Sequence, residues 1–175
     1  MLGMLYRRFY QYADSNTLLQ MYISLVRPHL EYGSPVWNPY KAADVKLIEG
    51  VQKFALRMCT KNWNESYETL LEMCQLQSHE DRRIFIDMST MFKIVHNMMC
   101  FPPNIFCSQS PSQRVTRSTA ILAQAPQLYF QSVFAHTNQF YYSFVPRSIR
   151  TWNSLPLTLI NSSIPYFKNN FWAHI

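Results

Sequence analysis

Glycine is scarce: the 175 residues hold only three. That argues against a turn-rich β fold and against a phosphate-cradling glycine loop. Charge is scarce too, at 15% against 48% hydrophobic residues, which excludes disorder along most of the chain. The four cysteines, at 59, 74, 100 and 107, lack the density of a disulfide framework and fit a reducing compartment. No uninterrupted apolar run approaches the ~20 residues a membrane-spanning helix needs. Arg7 and Arg8 are not followed by the apolar stretch of a signal peptide. The expectation is an intracellular protein, in cytoplasm or nucleus, with no membrane partner.

Leucine, methionine, isoleucine and phenylalanine are abundant, a helix-favouring set with room for a real core in one domain or one and a half. Ten prolines interrupt it. The net charge of +6 permits a polyanionic partner without proving one. The predicted fold is mostly α: an irregular multi-helix bundle with a Pro/Ser-rich connector and a small carboxy-terminal helical module. The expected regions are 1–100, helical; 101–140, the irregular connector; and 141–175, the small module.

The chain is organised around the stretch from Leu25 to Tyr40, which gathers three prolines, a glycine, two tyrosines and a tryptophan. Pro28 predicts a kink or restart, and Pro35 and Pro39 limit the next helix to about two turns. Tyr32, Val36 and Trp37 fall on one face of that short helix, predicting a corner with Trp37 buried. Upstream, Asp14 and Ser15 read as helix caps ahead of Leu18, Tyr22, Leu25 and Val26. Downstream, Val45, Ile48, Val51, Ala55 and Met58 recur at helical spacing, flanked by Leu47 and Phe54. Lys46, Glu49, Lys53 and Arg57 take the opposite face, with Glu49 and Lys53 as an i,i+4 pair. A shorter helix runs from Ser66 to about Met73. Ser78-His79-Glu80-Asp81 reads as a capping-box start to a helix with Ile84, Met88, Met91, Val95 and Met98 on one stripe, widened by Phe85, Phe92 and Met99. That helix ends at Phe101-Pro102-Pro103, and Ser108 to Pro126 has no clear period. Tyr141 to Val145 reads as extended, Pro146 to Trp152 as a helix, and Ser163-Ile164-Pro165 as the start of a last helix burying Phe167 and Phe171.

The string Leu25-Val26-Arg27-Pro28-His29-Leu30-Glu31-Tyr32-Gly33-Ser34-Pro35-Val36-Trp37-Asn38-Pro39, with Leu47-Ile48-Glu49-Gly50-Val51-Gln52-Lys53 after it, resembles the carboxy-terminal part of non-LTR (LINE-type, jockey-like) retrotransposon reverse transcriptases. The pattern continues through Arg82-Arg83 and Phe92-Lys93-Ile94-Val95, and returns at Tyr142 to Pro156 around Trp152-Asn153-Ser154-Leu155. It covers nearly the whole chain in order. The resemblance implies the thumb and post-thumb region of an RNA-directed DNA polymerase, beginning after its catalytic part and holding nucleic-acid duplex against the palm.

Tyr12-Ala13-Asp14-Ser15 imitates the metal-binding motif of such polymerases but lacks its second carboxylate, so no two-metal site is expected and the chain is not expected to be an enzyme. There is no Gly-x-Ser-x-Gly and no Cys-His pair in a nucleophile's context. His96, Cys100 and Cys107 lack the close cysteine pairs of structural zinc and a nearby fourth ligand, so neither metal nor cofactor is expected. His29, His79, His136 and His174 read as surface or capping residues. The candidate nucleic-acid contacts are Arg7, Arg8, Arg82, Arg83, Arg114, Arg117, Arg147 and Arg150. Arg147 and Arg150 share a helix face, with Tyr141, Tyr142 and Trp152 nearby as stacking surfaces. The expected partner is an RNA–DNA hybrid or a single strand, gripped weakly and without sequence preference. The alternatives are a helical protein-interaction domain that uses Trp37 and the methionine stripe, and a truncated element remnant without selected function.

Overall fold

The computed structural model of the chain describes residues 1–100 and 130–174. Its helices are α1 (Leu2–Phe9), α2 (Ser15–Met21), α3 (Arg27–Glu31), α4 (Ser34–Trp37), α5 (Ala42–Thr60), α6 (Tyr67–Cys74), α7 (His79–Val95), α8 (Asn138–Tyr141), α9 (Phe144–Asn153), α10 (Leu157–Ile160) and α11 (Ile164–Asn170). The fold is mostly α, with no strand among the described residues. No described helix is long and apolar enough to cross a membrane. The chain divides into two compact units, Met1–Ile84 and Phe85–Ile175, with the division inside α7.

In the first unit α2 opens as expected. The Asp14 carboxylate accepts from the backbone N–H groups of Asn16 at 3.2 Å and Thr17 at 3.3 Å, satisfying donors that a helix start leaves open. Pro28 does not break the helical run. Residues Tyr22–Val26 form a π-helical segment between α2 and α3, and the Arg27 N–H reaches the Tyr22 carbonyl. The widened turn gives the pyrrolidine ring the room that an α turn would deny it. Leu5, Leu18, Tyr22, Val26, Ala55, Met58 and Cys59 form the core, with Val51 and Leu76 packed against it.

The Leu25–Tyr40 stretch is not the buried corner that its apolar content suggested. Trp37 is 40% exposed, Tyr32 86% and Val36 92%. Gly33, at φ +64°, reverses the chain between α3 and α4, and the Trp37 indole N–H then donates to the Tyr32 carbonyl at 2.7 Å. The turn thus holds the indole through its own backbone, over the surface. Leu47 and Phe54, expected to widen the apolar face of α5, are exposed as well.

With so little glycine, three helices end on other residues in the left-handed region: Lys61 after α5, Gln75 after α6 and Asn97 after α7. After α7 the Met98 N–H bonds to Lys93 O and the Asn97 N–H to Ile94 O, the paired bonds of a left-handed cap. This cap closes α7 at Val95, before Met98, Met99 and the prolines that were expected to stop it. Both methionines are exposed, outside the stripe they were expected to extend.

The core of the second unit is aromatic. Phe92 lies 4.6 Å from Phe167 and 6.4 Å from Trp152, centroid to centroid, and Phe167 lies 5.6 Å from Phe171. Met88, Met91, Ile149, Leu155, Leu159 and Ile160 are buried with them. Tyr141 is helical, in α8, where an extended chain was expected, because Thr137 caps that turn through the Phe140 N–H. Asn153 clasps the backbone of Phe130 in both directions, accepting from its N–H at 3.2 Å and donating to its carbonyl at 2.7 Å.

Candidate functional site

The polar groups of the first unit converge on the start of α7. Ser78 caps it through the Asp81 N–H at 3.0 Å, as the sequence pattern predicts. A second cap comes from α5: the Glu49 carboxylate accepts from the N–H groups of Glu80 at 2.8 Å and His79 at 3.3 Å. It also accepts from the Tyr67 hydroxyl and lies 4.0 Å from the Arg83 guanidinium. An anion is favoured here because the open N–H groups and the helix dipole both point at it. Glu49 is therefore turned inward, and not paired with Lys53 on a solvent face. Burial, then the bond to Glu49, holds the Tyr67 hydroxyl well above its ordinary range.

A second carboxylate approaches from α3. Glu31 takes both Nε and Nη2 of Arg82, the latter at 2.9 Å. Arg27 stands 3.6 Å from it and the imidazole of His79 3.8 Å. The fork geometry is the strong form of an arginine–carboxylate pair, and it raises Arg82 further above its already high value. His79 is fully buried, with Nε2 3.0 Å from the Tyr22 hydroxyl. Burial drives its pKa down to about 4, outweighing the upward pull of Glu49 and Glu31. The imidazole is thus neutral at pH 7, and His79 is neither a surface residue nor a capping side chain.

Arg83 is 1% exposed, and its Nε donates to the side-chain carbonyl of Asn38 at 2.8 Å. Arg82 and Arg83 are therefore committed to acceptors of their own chain. Arg147 is similarly engaged, with Nε 2.8 Å from the buried Asp87 carboxylate and Nη1 on the Tyr142 carbonyl. Arg150 lies over the Tyr141 ring at 3.8 Å and donates to the Tyr141 carbonyl at 3.1 Å, with its side chain exposed. Arg7 and Arg8 are exposed on α1. Arg114 and Arg117 lie outside the described residues. Of the proposed stacking surfaces, Trp152 is fully buried, whereas Tyr141 and Tyr142 remain accessible.

Other reactive groups are quiet. His96 shares its Nε2 with the Ile160 carbonyl at 2.9 Å, while Cys107 lies outside the described residues. Cys59 and Cys74 line a cavity of about 370 Å³ with Ser15, Asn16 and Thr60. Burial pushes the Cys59 thiol up to about 12 and raises Cys74 as well, so neither is a ready thiolate.

Sequence reasoning assigned no site role to Glu31, Glu49, His79, Tyr22 or Tyr67. A signal existed only for Glu31 and Glu49, which with Asn38 precede Arg82-Arg83 along the resembling string in the order in which they pair. No family model matches the chain, and no curated protein or solved structure matches it significantly.

Proposed function

We propose that this chain is a non-catalytic region resembling the thumb and post-thumb part of a non-LTR retrotransposon RNA-directed DNA polymerase, holding nucleic-acid duplex for a polymerase palm. The observation that carries the reading is the ordered resemblance over nearly the whole sequence. Glu31, Asn38, Glu49, Arg82 and Arg83, five residues within it, are bonded to one another and to the start of α7. Such a string is then a structural requirement of the first unit, and binding falls to residues outside it. Arg7 and Arg8 on α1 and Arg150 on α9 are the exposed cations among the described candidates.

The test is fluorescence anisotropy with a labelled RNA–DNA hybrid across a salt series. Each neutralised phosphate contributes a slope of ~0.9 log unit per log salt on B-form DNA, and somewhat less or more on a hybrid. Replacing Arg7 and Arg8 by alanine is expected to flatten the slope by about one to two units with the unfolding midpoint unchanged. No binding at low salt, or a slope indifferent to both arginines, rejects the reading. The protein-interaction alternative draws on a different observation, the exposed Tyr32, Val36 and Trp37, and failure of hybrid binding would favour it.

A further inference from the structure

We propose that the outer face of α5, with the aromatic cluster beside it, is a binding site for single-stranded nucleic acid; this rests on the nucleic-acid reading above and names a site and ligand class within it. Lys46, Gly50, Lys53, Arg57 and Phe54 fall within an arc of about 100° by 3.6-residue geometry. The residues on the opposite arc, Gln52, Ala55, Leu56 and Cys59, are buried. The outer arc is cationic from Lys46 to Arg57, and Lys61 continues it beyond the helix end. Arg57 is half-buried, its Nε enclosed and without a hydrogen-bond partner in the chain, so it lends the arc its charge more than a contact. Such a row suits phosphates spaced along a strand.

Gly50 lies in the middle of this arc. A Cβ built there would meet nothing within 4 Å, so the chain's own packing does not require glycine. A glycine inside an exposed helix destabilises it relative to alanine. Its missing side chain leaves a saddle between Lys46 and Phe54 through which another backbone can approach closely. The aromatic cluster begins at the edge of that saddle. Phe54 is 5.9 Å from Tyr6 and 5.6 Å from Trp63, and Tyr6 is 4.8 Å from Tyr10. Tyr6, Phe54 and Trp63 each keep more than a third of their surface in solvent. Lys61 lies over the Tyr10 ring at 5.8 Å, and Arg7 is next to Tyr6 on α1.

Cations along a helix face with accessible rings at its edge form an arrangement that can track a single strand, its phosphates on the cations and a base on the rings. A duplex offers phosphates, but its bases are already stacked, so the rings add nothing to it. Lys53 is within electrostatic reach of Glu68, which leaves the exposed Lys46 and Lys61 as the principal phosphate contacts.

The experiment uses the full chain with labelled oligo(U) and oligo(dT), and in parallel the RNA–DNA hybrid. Gly50→Leu fills the saddle with a better helix former, and Phe54→Leu keeps apolar packing while removing the ring. Gly50→Leu is expected to raise the unfolding midpoint by ~2–4 °C and still weaken single-strand binding. Phe54→Leu is expected to weaken it at least about fivefold, the lower end of one base's stacking. Both variants should bind hybrid like the parent. A preference between oligo(U) and oligo(dT) tells whether the 2′-hydroxyl is read. If the parent binds hybrid but single strands bind both variants as tightly as the parent, this site is wrong and the duplex reading stands. If the parent binds neither nucleic acid at low salt, both fall.

Discussion

In the first unit a polar network runs beside the apolar core: the part-buried Glu31 and Glu49 hold Arg82, Arg83, Tyr67 and the open end of α7. In the second unit the core itself is filled by rings, with Phe92, Trp152, Phe167 and Phe171 packed together. Carboxylates have direction, so the first unit fixes which residue meets which. Its stability then depends on ionisation. Rings stabilise mainly by the area they remove from water and tolerate a range of tilts. The second unit has one buried carboxylate in an ion pair, Asp87 with Arg147, but its bulk is indifferent to pH. The two halves of the chain should therefore fail under different stresses.

The largest expected effect tests the aromatic side. Trp152→Ala removes a fully buried indole and should cost ~3–5 kcal/mol in urea unfolding, equally at pH 7 and pH 5. A loss near zero would remove the aromatic half of the contrast.

The next tests the polar side by pH alone. His79 has a folded-state pKa of about 4 against an ordinary 6.5, so the unfolded chain takes up the proton first. Its neutral form therefore contributes fully above about pH 6.5, and that contribution drains as pH falls to about 4, by roughly 3 kcal/mol. Denaturant midpoints measured from pH 7 to pH 4 should fall through this window. A flat profile would show that the imidazole is not held neutral.

The smallest effect concerns the borrowed caps. Gln75 closes α6 at φ +53°, a conformation that costs an L residue and not glycine. Gln75→Gly should stabilise the first unit by ~1 kcal/mol, read as a higher unfolding midpoint, and leave the second unit's aromatic near-ultraviolet signal unchanged.

Sequence reasoning reached the helices whose start and period are written locally: Asp14 ahead of α2, Ser78 ahead of α7, and the buried Ala55 and Met58 of α5. It failed where a partner is distant in the chain. Glu49 carries a charge on a helix and reads as solvent-facing, because its acceptor role depends on N–H groups thirty residues later. Trp37 reads as core because it is large and apolar, yet Gly33 turns the chain so that its indole is satisfied by Tyr32 at the surface. Arg82 and Arg83 read as a basic pair for the same reason Glu49 reads as exposed. Opposite charges far apart in sequence cannot be seen to cancel. The outer arc of α5 was legible only as a mixed charged face with Glu49 among its lysines, and the rings beside it come from α1 and from the loop after α5.

The π-helical segment at Tyr22–Val26 has a consequence for phase. Tyr22 and Glu31 are nine positions apart, which on an uninterrupted α-helix would point them about 180° from one another. A π turn absorbs one extra residue, bringing the effective offset to eight positions and the two side chains to within about 80°. That rotation is what lets the Tyr22 hydroxyl and the Glu31 carboxylate approach the two nitrogens of one imidazole, His79. The segment acts as a clutch between two helical stretches. Deleting a single residue from it would give a plain α-helix with the same eight-position phase, keeping Glu31 toward His79 and Arg82 while denying Pro28 the room of the wide turn.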